Sequence, residues 1–124
     1  MAKTVLVIDD EDNIRECVTQ ALIMEGFAVL QAADGNEGVR LARKKKPDLI
    51  LLDVQMDPID GFQTLIILRK QTESANIPVL MLTGLSAVKD INQATELGAN
   101  GYIIKPFDVD RLLLKIRNAL NAAP

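Results

Sequence analysis

Five short apolar segments recur along the chain, and a longer segment with helical spacing separates each from the next. The apolar segments are residues 4–8, 27–31, 49–53, 77–82 and 101–104. Strands that are apolar on both faces are typical of a parallel sheet covered by helices on either side. Because crossovers between parallel strands are right-handed, this alternation predicts a doubly wound α/β sandwich, in which ligands bind beyond the carboxyl ends of the strands.

The segments between and after the strands carry apolar residues three, four and seven positions apart, as amphipathic helices do. Pro47 and Gly98 mark the ends of the second and fourth helices. The residues with helical spacing are Ile14, Val18, Ala21 and Leu22 in the first helix, Val39 and Ala42 in the second, Phe62, Leu65, Ile66 and Leu68 in the third, Val88, Ile91 and Thr95 in the fourth, and Val109, Leu112, Leu113, Ile116 and Leu120 in the fifth.

The composition narrows the kinds of site that the chain can hold. With 124 residues, 48% of them hydrophobic, and no internal repeat or linker, residues 1–124 are predicted to form one domain with a real core. The net charge of −3 argues against nucleic acid as the main ligand, and the basic run RKKK at residues 43–46 is expected to be a solvated helix end. One cysteine excludes an internal disulfide, and the absence of histidine removes imidazole metal sites and histidine-based catalysis.

The sequence also bears on location. No apolar stretch approaches the roughly 20 residues of a membrane span, and residues 1–10 contain no export signal. We therefore expect a cytoplasmic protein without a membrane partner.

Polar side chains follow four of the five predicted strands. Asp9 and Asp10 come directly after the first strand, and Asp53 ends the third. Thr83 follows the fourth strand, and Lys105 follows the fifth. Since the carboxyl ends of parallel strands meet at one edge of a sheet, we expect these five side chains to converge.

Such a group of residues favours phosphoryl chemistry. Neighbouring carboxylates repel one another unless a cation lies among them, and Mg²⁺ takes carboxylate oxygens while it bridges to phosphate. A lysine amine and a threonine hydroxyl suit phosphoryl oxygens, and an aspartate can itself be the nucleophile. Taken singly, each residue has an ordinary alternative: a helix cap for the aspartate pair, a strand-end acid, a turn threonine and a surface lysine.

Four stretches together resemble the receiver domain of two-component response regulators, in particular the chemotaxis regulators: VLVIDDED, DLILLDVQMDPIDG, VLMLTG and GANGYIIKPF. They occur in the family's order and spacing over essentially the whole chain. The resemblance implies a flavodoxin-like fold of five parallel strands in the order 2-1-3-4-5 with five helices.

The resemblance also implies a metal and phosphate site. Asp53 matches the phosphoacceptor, and Asp10 matches the acid that ligates Mg²⁺ directly, whereas Asp9 usually acts through a water molecule. Gln55 would offer its backbone carbonyl to the metal. Lys105 matches the lysine that contacts the phosphoryl group and that commonly precedes a cis-proline, here Pro106.

A switch and an output surface are implied in the same way. Thr83 matches the hydroxyl that moves toward the phosphoryl group, and Tyr102 matches the aromatic residue that moves with it. The usual output face comprises the fourth helix, the fifth strand and the fifth helix, where Tyr102, Leu114 and Lys115 would contact a downstream protein or domain, or a second copy in a homodimer. Leu114 falls opposite the apolar stripe of its helix, which agrees with this interpretation.

The implied function is signalling in a bacterial two-component system and not metabolic catalysis. The chain has no histidine, so the phosphoryl donor must be another protein or a small molecule. The resemblance implies that the protein donor is a histidine kinase or a histidine phosphotransfer protein. The only chemistry implied is Mg²⁺-dependent self-catalysed phosphotransfer and self-dephosphorylation.

One departure from the family pattern follows the acceptor. The family often has a proline four residues after it, whereas this chain has Asp57 there and Pro58 one residue later, with Asp60 and Gly61 still in register. We expect this substitution pair to alter kinase contacts or metal affinity.

Two other functions share parts of the pattern. A flavodoxin-like FMN carrier has the same topology, but its phosphate loop should be rich in Gly, Ser and Thr, and this chain has DDEDN there. A Mg²⁺-dependent phosphohydrolase with an aspartyl nucleophile would need a second acid as general acid and a substrate pocket, for which 124 residues leave little room.

Overall fold

The computed structural model describes residues 2–122, in which five strands and five helices alternate. The strands are β1 (Thr4–Ile8), β2 (Ala28–Ala32), β3 (Leu49–Leu52), β4 (Val79–Thr83) and β5 (Gly101–Ile104). The helices are α1 (Asp12–Met24), α2 (Gly35–Lys45), α3 (Gly61–Lys70), α4 (Val88–Glu96) and α5 (Val109–Ala122). All strand pairs are parallel and the order is β2-β1-β3-β4-β5, which confirms the predicted doubly wound fold.

Two apolar clusters, one on each face of the sheet, explain why the strands are apolar throughout. In β1, Leu6 and Ile8 join a cluster with residues of α2, α3 and α4, whereas Val5 and Val7 join a second cluster with residues of α1 and α5. Successive side chains of a strand point to opposite faces, so a sheet covered on both sides needs apolar residues at every position. No helix within residues 2–122 is long and apolar enough to cross a membrane.

The structure shifts both predicted boundaries of the second and fourth strands, and β2 ends at Ala32 instead of Gln31. β2 begins at Ala28, since the N–H of Phe27 donates to the Leu22 carbonyl at the end of α1 (3.0 Å). β4 begins at Val79, because Pro78 has no N–H to donate to the ladder. At the other end, the Thr83 carbonyl accepts from Lys105 N–H (2.8 Å), so Thr83 is the last residue of β4 and does not follow it.

The third strand is one residue shorter than expected. β3 ends at Leu52, so Asp53 follows the strand. Its backbone stays attached to the sheet, because Asp53 N–H donates to the Ile8 carbonyl (3.0 Å). The acceptor candidate is therefore fixed at the sheet edge although it lies outside the strand.

Arg69, near the end of α3, holds the turn that leads into β5. Its guanidinium donates to the carbonyls of Ile77 (2.7 Å) and Gly98 (2.8 Å) and to Asn100 Oδ1 (2.9 Å). Asn100 Oδ1 also accepts from Val79 N–H (2.8 Å), so one amide joins the starts of β4 and β5. Burial lowers the pKa of Arg69. These contacts fix the strand that delivers Lys105 to the site.

Candidate functional site

Three carboxylates meet at the carboxyl edge of the sheet. Asp9 follows β1 and is buried, Asp10 is exposed beside it, and Asp53 follows β3 and is buried. Each offers an oxygen atom, and these atoms lie within 4.8 Å of one another. Asp57 is exposed and is not part of this group.

Lys105 extends from the end of β5 into this group. Its Nζ lies 2.8 Å from Asp9 Oδ2, 3.4 Å from Glu11 Oε1 and 3.5 Å from Asp53 Oδ2. Burial alone would lower the pKa of Lys105, but the hydrogen bond to Asp9 and the negative charges of Asp53, Asp9 and Glu11 raise it overall. Lys105 therefore stays charged and binds the carboxylates together. Glu11 was not predicted as a site residue, since an acid one position past the pair reads equally well as a helix-end residue.

The pKa of Asp53 is raised, and burial is the largest cause. Lys105 lowers the pKa and the Asp9 charge raises it, while smaller lowering effects come from the Gln55 N–H, 3.4 Å from Asp53 Oδ1, and from the Thr83 hydroxyl. The carboxylate is thus poorly solvated, and the positive charge of Lys105 stabilises its charged form.

Thr83 and Tyr102 are linked through the backbone of one residue, Leu85. The N–H of Leu85 lies 3.4 Å from Thr83 Oγ1, and the Leu85 carbonyl accepts from the Tyr102 hydroxyl (2.9 Å). Thr83 is fully buried and Tyr102 is half-buried. Burial, followed by the charges of Asp90 and Asp53, raises the pKa of Tyr102. Because Leu85 contributes only backbone atoms, its side chain gave no signal for this link.

The start of α3 packs directly on the backbone of Asp53. A Cβ at Gly61 would collide with the Asp53 carbonyl oxygen and lie 2.6 Å from Val54 Cα, and Gly61 N–H donates to the Val54 carbonyl (2.7 Å). Asp60 caps the helix by accepting from Gln63 N–H (2.8 Å). Only glycine permits this approach, which holds the loop after Asp53.

Two X-Pro peptide bonds at this edge are cis, namely Asp57–Pro58 and Lys105–Pro106. The second agrees with the expectation from the resemblance. The Gln55 side chain is exposed at the start of the loop that contains the first.

Away from the site, the surface of β5 and α5 carries the residues expected for output. Leu114 is 58% exposed, and Tyr102 and Lys115 are half-buried. Ile104, at the end of the edge strand β5, is also exposed. Each of these two elements therefore exposes an apolar side chain, Ile104 on β5 and Leu114 on α5.

The carboxylate group fits a hard divalent cation. All three side chains offer oxygen, the atom that Mg²⁺ prefers. Among the described residues, Lys105 makes the only ion pairs to Asp9 and Asp53, so three carboxylates face one ammonium and negative charge remains in surplus. The donor set therefore suits a cation that keeps several water ligands.

The comparisons with known proteins agree with this geometry. Residues 5–117 match the family model described as the response regulator receiver domain. The chain is 43% identical over 116 residues to the DNA-binding dual master transcriptional regulator RpaA of Synechocystis, which covers 94% of this chain and 48% of that protein. It is 40% identical over 116 residues to the probable transcriptional regulator ycf27 of Porphyridium aerugineum, covering 94% of this chain and 47% of that protein.

The structure is similar to that of the chemotaxis protein CheY4 of Vibrio cholerae, with a TM-score of 0.92 and 33% identity, covering 96% of this chain and 99% of that one. The chain spans about half the length of the curated relatives it matches. Because residues 5–117 match the family model and the strand order and the site agree with it, the chain belongs to the response regulator receiver domain family.

Proposed function

We propose that the protein accepts a phosphoryl group on Asp53 from a phosphohistidine of a histidine kinase or phosphotransfer protein. The observation that carries the proposal is the position of Asp53: a buried carboxylate, 3.5 Å from the Lys105 amine and within 4.8 Å of two further carboxylates, at the carboxyl edge of the sheet. A nucleophile, a fixed cation and a place for a metal are the parts that phosphoryl transfer requires.

Asp9, Asp10, Asp53 and the backbone carbonyl of Gln55 would hold Mg²⁺. When bound, the metal ion would neutralise negative charge on the phosphoryl oxygens. The residues of the chain do the rest: Asp53 is the nucleophile, Lys105 binds a phosphoryl oxygen, and the Thr83 hydroxyl donates to another.

The transfer forms one bond and breaks one. A carboxylate oxygen of Asp53 bonds to phosphorus as the phosphorus–nitrogen bond of the donor breaks, and its electron pair stays on the imidazole nitrogen. Water later hydrolyses the acyl phosphate and restores the carboxylate. Lys105 would stabilise the negative charge on the phosphoryl oxygens, because its raised pKa keeps the amine protonated.

The phosphoryl group would shift an existing equilibrium between two conformations. When Thr83 Oγ1 turns toward the phosphoryl group, it leaves the Leu85 N–H, and the loop that also holds the Tyr102 hydroxyl is released. Tyr102 and the exposed Leu114 and Lys115 then present a changed surface to an output protein or domain, or to a second copy. Relatives named as transcriptional regulators suggest gene regulation as the output of a longer protein.

The proposal is tested by intact mass spectrometry after incubation with a small-molecule phosphodonor, with and without Mg²⁺. We expect one added phosphate in the wild type, dependent on Mg²⁺, and none in Asp53→Asn. The matched control is Asp110→Asn, an exposed acid in the first turn of α5, which should still take the phosphate. Equal labelling of the wild type and Asp53→Asn would refute the assignment.

A further inference from the structure

Arg15, in the first turns of α1, braces the loop that carries Asp9 and Asp10. Its Nη1 donates to the Asp9 backbone carbonyl (2.7 Å), its Nε to Gln31 Oε1 (3.1 Å) and its Nη2 to Asp12 Oδ1 (2.7 Å). The side chain is only 15% exposed. We infer that Arg15 is a positioning residue for the metal-binding carboxylates, an inference that rests on the function proposed above.

The geometry of the guanidinium makes this brace rigid. Its donors lie in one plane at fixed angles, so three simultaneous partners fix the orientation of the group. Asp12 anchors it to α1, and Gln31 anchors it to β2. The third donor therefore reaches the Asp9 carbonyl from a position that the two elements determine.

The contacted carbonyl belongs to the peptide unit that joins Asp9 to Asp10. Because a peptide unit is planar, holding its oxygen restricts the backbone rotations at Asp9 and Asp10, and these rotations affect the direction of both side chains. Arg15 is the only hydrogen-bond donor to this carbonyl found among the described residues. The other contacts of Asp9 involve its side chain, with Glu11 N–H (2.9 Å) and Lys105 Nζ (2.8 Å), or its N–H.

A positioning role and a purely electrostatic role for Arg15 predict opposite changes in Mg²⁺ affinity. If Arg15 acted only through its positive charge, its removal would leave the acidic group more negative and Mg²⁺ would bind more tightly. If Arg15 orients the carboxylates, its removal lets the peptide unit rotate and Mg²⁺ binds more weakly. The sign of the change in Mg²⁺ affinity therefore separates the two roles.

The test compares Arg15→Met, which keeps an unbranched stem and removes the donors, with Arg15→Lys and with the control Arg40→Met. Arg40 is a suitable control because it makes a similar pair with Glu37 on the exposed face of α2. Calorimetry gives the Mg²⁺ dissociation constant, and phosphorylation by a small-molecule donor at several Mg²⁺ concentrations gives the half-saturating concentration and the maximal rate.

We expect Arg15→Met to raise the Mg²⁺ dissociation constant about tenfold, as removal of outer hydrogen-bond partners of metal ligands usually does. The half-saturating concentration should rise in parallel, while the rate at saturating Mg²⁺ stays within about twofold of wild type. Arg15→Lys should show a smaller rise, since an ammonium can replace only part of the fork, and Arg40→Met should show none.

An unchanged or lower dissociation constant in Arg15→Met would overturn the inference, as would the same rise in Arg40→Met. If Arg15→Met does not fold, Arg15→Lys decides, and an affinity equal to wild type counts against the brace. A wild type that binds Mg²⁺ but takes no phosphate leaves the calorimetric result standing and overturns the proposed function instead.

Discussion

The Asp53 carboxylate is placed where its charge destabilises the folded chain. Burial raises its pKa above the ordinary 3.8, and the positive charge of Lys105, although it outweighs the repulsion from Asp9, offsets the effect of burial only in part. An acid whose pKa is higher in the folded state binds more protons there than in the unfolded state. Between pH 3.8 and the raised pKa, stability from this group therefore falls as the pH rises, and above it the cost is constant.

Replacing this acid should accordingly stabilise the protein. In Mg²⁺-free buffer at neutral pH we expect Asp53→Asn to raise the free energy of unfolding by on the order of 1 kcal/mol, since functional residues are often costly to stability. The gain should shrink as the pH falls through the raised pKa, because wild-type Asp53 then becomes neutral as well. Urea unfolding at a series of pH values measures the gain at neutral pH and its decrease at lower pH. If Asp53→Asn is less stable than the wild type at neutral pH, the electrostatic explanation is wrong.

A second residue tests the packing of α1. Thr19 is 4% exposed, and its hydroxyl has no hydrogen-bond partner among the described residues. We expect Thr19→Val to stabilise the protein by about 1 kcal/mol, because a nearly isosteric methyl group replaces an unsatisfied hydroxyl. Thr64→Val is the matched control. The Thr64 hydroxyl donates to the Asp60 carbonyl (2.8 Å), so its removal should destabilise the protein. Thermal unfolding distinguishes the two, and equal effects would be evidence against an unsatisfied Thr19.

The elements around the site are held by close backbone packing as well as by side chains. At the start of α3, Gly61→Ala would push a Cβ into the carbonyl of Asp53, which is backbone and cannot rotate away. We expect a loss of about 1–3 kcal/mol in the free energy of unfolding and slower phosphorylation of Asp53. Gly84→Ala is the control at the same edge, because its new Cβ would meet only Gln55 Oε1 at 3.9 Å. If both variants unfold at the same urea concentration, the packing argument is wrong.

At the scale of elements, the sequence was enough to predict the order and type of every strand and helix. The strands β1 and β5 were predicted with their observed bounds, since apolar runs between turn residues define them on both sides. The start of β2 was missed because it depends on a hydrogen bond between Phe27 and Leu22, which the hydrophobic pattern does not show.

In the site, too, sequence patterns predict some features and do not show those that depend on backbone hydrogen bonds. The topological rule was enough to bring Asp9, Asp53 and Lys105 to one edge, since it needs only the strand order. The contact of Arg15 with a carbonyl and the role of the Leu85 backbone could not be predicted, because both use backbone groups that do not depend on the side chain. Sequence patterns report side chains, whereas these contacts depend on the folded path of the chain.

At the scale of the whole molecule, the exposed face of α5 tests how the signal leaves the domain. We expect Leu114→Glu to abolish phosphorylation-dependent association, with a partner or a second copy, without changing the phosphorylation rate. Leu114 is 58% exposed, and a charge there would have to be desolvated in any interface. Ile23→Glu is the control, since Ile23 is 50% exposed on α1. Sedimentation with and without phosphodonor measures association, and full association of Leu114→Glu would exclude this face.

The proposed function requires that Asp53 is the residue that carries the phosphoryl group. Borohydride reduces an aspartyl phosphate to homoserine, so tandem mass spectrometry of the reduced protein identifies the acceptor directly. We predict homoserine at position 53 in the wild type incubated with phosphodonor and Mg²⁺, and unmodified aspartate there when Mg²⁺ is omitted. Homoserine at Asp9 or Asp10 with intact Asp53 would contradict the account.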